Sequence, residues 1–193
     1  PNNSQKLVED LVDQINPLVD YTQYDNDSDG YVDVVMVIHS GRGAEFTGAN
    51  TDIWSHKWGI TPRLLDGVRV FNYTMQPEYW SNPCDMTIGV YAHELAHGFG
   101  LPDLYDTDNS SNGIGRWCLM SYGSWNGPSN RGGCPSHPSA WCRIDMSFAT
   151  STNVTTPLSN QQITNVEAGG TIYRMWTGGL VTTNYFLVEN RQH

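Results

Sequence analysis

The tightest constraint on this 193-residue chain is a helical stretch at 87–99 that carries two histidines and then stops abruptly. Residues four apart on a helix lie on one face, one above the other. His93 and His97 therefore present two imidazoles to a single point. Ile88, Val90, Tyr91 and Leu95 make the other faces apolar, as expected where a helix packs under a sheet. Gly98 and Gly100 weaken the helix end, and Pro102 forbids its continuation.

Imidazole nitrogen is a good zinc ligand. Glu94 stands one residue round from His93, within reach of a water on the ion. Zinc brings the pKa of such a water to roughly 7, and a carboxylate then takes its proton. A glycine at 100 permits φ > 0 and a sharp turn, so Asp103 is expected to swing back as a third ligand. The fourth position is left open, the mark of a catalytic rather than a structural zinc site.

A second metal pattern precedes the first long strand. Asp25, Asp27, Asp29 and Asp33, with Gly30 at the sixth position and a backbone carbonyl at Tyr31, follow the first part of an EF-hand-type loop. The twelfth position is Met36, so the usual glutamate is missing and a strand follows. We expect a related calcium loop, with Asp33 or water completing the shell. Four aspartates within so short a stretch repel one another without a cation.

The remaining pattern is coarse. Residues 4–16 have helical periodicity through Leu7, Val8, Leu11, Val12 and Ile15, with Ser4 as the cap and Pro17 as the stop. The β-branched run 31–39 reads as a buried strand, 52–60 as a strand or turn, and 68–75 as an edge strand suited to pairing with an extended peptide. Residues 103–140 are rich in Gly, Ser, Asn and Pro, and read as a functional loop region. A short helix is expected in 140–149, with strands at 171–176 and 185–189.

Net charge is -10 with no basic patch, which argues against nucleic acid as a partner. No run of ~18 apolar residues offers a membrane span. Hydrophobic residues make up 38% of the chain, enough for a sizeable core. Pro1 is not a translation start, so a processed or excised piece is expected. Sequons begin at Asn2, Asn26, Asn72, Asn109 and Asn153. The four cysteines form no CxxC pair, which disfavours a zinc knuckle. Of their three possible pairings, Cys134–Cys142 as a local staple and Cys84–Cys118 as a longer link are favoured. Disulfides imply an oxidising compartment and secretion.

The run from His93 to Asp103 resembles the extended HExxHxxGxxH/D motif of the metzincin peptidases, with aspartate in place of the usual third histidine. Leu119-Met120-Ser121-Tyr122-Gly123 resembles their Met-turn. The pieces 101–106, 115–120 and 185–192, and the block 25–40, are similar to the immune-inhibitor-A-like peptidases. The resemblance extends over residues ~20 to 192. It implies an α/β zincin fold: a twisted mixed sheet, a backing helix, an active-site helix, and an irregular C-terminal subdomain. Residues 1–100 would form the half with the sheet and the zinc helix. Residues 101–193 would hold the third ligand and the Met-turn, the two together making one catalytic domain.

By this resemblance His93, His97 and Asp103 bind zinc, Glu94 is the general base, Met120 supports the site, and Tyr122 stabilises the oxyanion. The expected activity is that of a secreted, monomeric zinc endopeptidase acting on extended protein or peptide substrates, with calcium held by the aspartate loop. The alternatives are a zinc amidase acting on a non-protein substrate and an inactive calcium-stabilised binding module.

Overall fold

A computed structural model describes residues 3–108 and 110–192. Pro1 and the sequons at Asn2 and Asn109 lie outside the described residues. The chain opens with helix α1 (Ser4–Ile15). Its cap is Asn3, whose side chain accepts from the Lys6 amide at 3.0 Å, so Ser4 is the first helical residue instead of the cap. Val8 and Val12 are fully buried against the sheet.

Strand β1 (Val35–Arg42) leads into a single turn of helix, α2 (Ala44–Thr47), followed by the hairpin β2 (His56–Leu65) and β3 (Val68–Tyr79). The strand order is β1-β3-β2, with β1 parallel and β2 antiparallel to β3. This corrects the expectation at 68–75: β3 is the central strand, because both neighbours pair with it, and the edges are β1 and β2. The run 31–39 is also not buried throughout. Residues 31–33 lie ahead of β1, held by Val32 N to the Arg69 carbonyl of β3 and by Asp33 N to the Tyr24 carbonyl. Beyond them Met36 and Ile38 point outward from an edge strand and are exposed.

Helix α3 (Ile88–Gly98) crosses beneath the sheet, with the Tyr91 hydroxyl donating to the Pro77 carbonyl at 2.7 Å. Its first turn approaches the downstream loop so closely that a Cβ on Gly89 would lie 1.9 Å from the Ser124 carbonyl oxygen. The described residues of 99–139 hold only short 3-10 turns. Helix α4 (Ala140–Asp145) and a small mixed sheet of β4 (Thr152–Val154), β5 (Tyr173–Met175) and β6 (Phe186–Val188) follow.

Two hydrophobic clusters result. One joins α1 to the first sheet through Val37, Ile60, Val70, Tyr73 and Met75. The other packs Ala96 and Leu101 against Cys118, Leu119, Met120 and Cys142. The second cluster overturns the expected cysteine pairing. Cys118 and Cys142 are the buried neighbours, with sulfurs 3.8 Å apart, while Cys84 and Cys134 are exposed, and all four are free thiols. The residues around 142 fold as α4 and turn Cys142 inward to Cys118, away from Cys134. No described helix is long and apolar enough to cross a membrane.

Candidate metal centre

Helix α3 ends in a Schellman motif: Leu101 N bonds to the Ala96 carbonyl at 3.1 Å and Gly100 N to the His97 carbonyl at 3.0 Å. Gly100 supplies the left-handed step at φ 95. The chain then reverses and brings Asp103 under the two histidines. His93 Nε2 and His97 Nε2 lie 3.1 Å apart, and Asp103 Oδ1 lies 3.2 Å from each. A tetrahedral zinc with ~2.0–2.1 Å bonds separates its ligand atoms by roughly 3.3 Å, so this triangle has the size such an ion requires.

The other ring nitrogens are already engaged. His93 Nδ1 lies 2.9 Å from the Leu119 carbonyl, and His97 Nδ1 lies 2.6 Å from the Leu101 carbonyl. A carbonyl only accepts, so each Nδ1 carries the proton and each Nε2 turns a lone pair to the centre. Asp103 Oδ1 is buried without a hydrogen-bond donor. Three acceptors facing one another repel unless a cation or protons lie between them. The electrostatics express the same demand. Burial opposes charge on both His97 and Asp103, yet their mutual contact raises the imidazole above its ordinary value and, with His93 and Tyr105, holds the carboxyl well below its own.

Glu94 is buried at the floor of a 520 Å³ cavity that also exposes His93, Tyr105, Ser121, Tyr122, Trp54 and Glu45. Burial raises its pKa; the two imidazoles pull the other way, and the charges of Asp103 and Glu45 add to the rise. A carboxyl raised in this way suits a group that must both take and return a proton. Met120 is fully buried, and its carbonyl accepts from Leu104 N at 2.7 Å, tying its turn to the Asp103 loop. Tyr122 stands half-exposed at the cavity rim, its ring 6.1 Å from that of Tyr105.

Sequence reasoning missed Tyr105, Glu45 and Trp54. The i, i+2 spacing from Asp103 was the signal for Tyr105. Glu45 and Trp54 reach the cavity only through the folding of α2 and the start of β2, and nothing local in the sequence announces that. His39 and His56 lie outside the site; His56 bonds to the Tyr73 hydroxyl at 3.0 Å.

In the aspartate loop, Asp25, Asp27 and Asp29 converge, with one oxygen of each within 4.8 Å of the others. Asp33 is not among them, because its carboxylate accepts from the Asn26 side chain at 2.5 Å. Tyr31 N donates to Asp29 at 2.8 Å.

Two helical imidazoles and a carboxylate converging beside a buried glutamate in a cleft form the layout of a metal-dependent hydrolase. Residues 10–147 match the sequence profile of the immune inhibitor A peptidase M6 catalytic domain, and the chain belongs to that family. It is 37% identical to immune inhibitor A of Bacillus thuringiensis subsp. alesti over 55% of this chain and 18% of that protein. It is 31% identical to the pre-pro-metalloprotease PrtV of Vibrio cholerae serotype O1 over 73% of this chain and 18% of that protein. The match thus spans less than a fifth of each of these relatives.

Proposed function

We propose that this chain is the catalytic domain of a zinc endopeptidase, in which His93, His97 and Asp103 hold the ion and Glu94 is the general base. The observation that carries the reading is the triangle of three acceptor atoms, whose imidazoles are fixed in the zinc-binding tautomer by Leu119 and Leu101. Zinc, when bound, supplies Lewis acidity to water and to the scissile carbonyl. Glu94 takes the proton of the attacking water and returns it to the departing amine. Tyr122, at the rim, donates to the oxyanion that develops. Residues 1–100 and 101–193 act as two halves of one domain with the cleft between them, in the metzincin manner.

The substrate main chain pairs with the outer edge of β2 near its start, beside Trp54 and Ser55 of the cavity wall. Further along, α1 occupies that edge: Gln5 donates to the Gly59 carbonyl at 2.8 Å, and Glu9 accepts from Thr61 N at 3.0 Å. Strand period two puts the Lys57 main chain on the same, still open side. Asp25, Asp27 and Asp29 hold a structural calcium that pins the loop between α1 and β1; the spacing of the sequence and the convergence of the three carboxylates support this. A casein assay with and without phenanthroline tests the activity. Hydrolysis that survives removal of the metal rules the proposal out.

A further inference from the structure

The two oxygens of Asp103 stand in different surroundings. Oδ1 faces both Nε2 atoms at 3.2 Å and has no hydrogen-bond donor. Oδ2 accepts from the Tyr105 hydroxyl at 2.9 Å. We propose that Tyr105 is a positioning residue that confines Asp103 to single-oxygen ligation and draws charge away from it; this rests on the zinc-ligand reading above.

The argument is one of geometry and charge. A free carboxylate can offer a metal one oxygen or both. With Oδ2 held by a phenol, the second mode requires that hydrogen bond to break. A carboxylate also brings a negative charge that imidazole lacks, which weakens the Lewis acidity of the ion it binds. A hydrogen bond to the outer oxygen takes up part of that charge and leaves the aspartate closer to imidazole in donor strength.

The phenol is itself held in place. Its ring leans on Tyr122 at a tilt of 34°. The preceding residue is pinned to the Met-turn through Leu104 N. On the other side the chain passes so close to Gly113 that a Cβ there would lie 2.6 Å from the Leu104 carbonyl oxygen. The backbone segment that carries Tyr105 is therefore clamped from two directions.

The test is Tyr105→Phe, which keeps the ring and removes the donor. Zinc affinity is measured by competition with a chelating dye, and coordination by the visible spectrum of the cobalt-substituted protein. The expected result is weaker cobalt bands as Asp103 adds its second oxygen and four-coordination gives way to five, with zinc bound no more weakly than by the wild type, because the carboxylate regains its full charge. Tyr122→Phe keeps the ring contact and the Asp103 hydrogen bond, and should leave both readouts unchanged. A lowered zinc affinity or an unaltered cobalt spectrum in Tyr105→Phe overturns the proposal, as does the same spectral change in Tyr122→Phe. The ligand assignment is checked separately: full zinc affinity in Asp103→Ala would refute Asp103 as a ligand, whatever Tyr105 does.

Discussion

His97 Nδ1 lies 2.6 Å from the carbonyl of Leu101, a residue that reaches this position only because Gly100 takes a left-handed step at φ 95. The helix stop and the orientation of a metal-facing imidazole are thus one piece of structure. Gly100→Ala tests the link. No atom lies within 4 Å of the added Cβ, so the cost is backbone strain alone, about 1–2 kcal/mol. Denaturant unfolding should show that loss, together with weakened zinc binding. Unchanged stability would mean that another turn serves as well.

The edge of β2 gives a kinetic prediction. Lys57→Pro removes an outward N–H and leaves the ladder to β3 intact, since proline is tolerated at sheet edges. Losing one main-chain hydrogen bond to substrate should lower kcat/KM for peptides roughly 2- to 10-fold, with zinc content unchanged. An unaltered kcat/KM would place the substrate elsewhere.

Asp85 shapes the loop that leads into α3. Its carboxylate accepts from Trp80 N at 2.7 Å and from Ser81 N and Asn82 N at 3.0 Å. Burial alone would raise its pKa, but these bonds together with the Ser81 hydroxyl hold it well below the ordinary carboxylate range. A depressed folded pKa means that the stabilisation is complete above the unfolded value, about 3.9, and drains away as pH falls below it. The difference in melting temperature between wild type and Asp85→Asn should stay constant from neutral pH to about 5 and close below about 4. A difference that widens in acid would reverse the sign of this argument.

The aspartate loop is tested by metal removal. Stripping with EDTA and restoring zinc alone should leave a lower melting temperature than restoring zinc and calcium. Asp27→Asn should abolish that difference. Equal melting temperatures in the two wild-type samples would show that Asp25, Asp27 and Asp29 are only a solvated turn.

What the sequence disclosed follows from how local the information is. The helix at 88–98 and the reach of Asp103 depend on neighbours within a few residues, and the i, i+4 spacing and Gly100 encode both. Strand order does not: whether β3 lies at the edge or the centre depends on which distant strands pair with it, and its own alternation is the same either way. The cysteines failed for the same reason. Cys134 and Cys142 are close in sequence, but α4 turns Cys142 toward Cys118, twenty-four positions away. Glu45 and Trp54 show the same limit at the site, reaching the cavity from segments that no motif joins to the zinc helix.

The most direct measurement pairs metal content with catalysis in one variant. Glu94→Ala removes the buried carboxylate and none of the three proposed ligands. It should bind zinc at near-stoichiometric content, by elemental mass spectrometry, and lose at least 10²-fold in peptide hydrolysis. Normal cleavage by zinc-loaded Glu94→Ala would contradict the account at its centre.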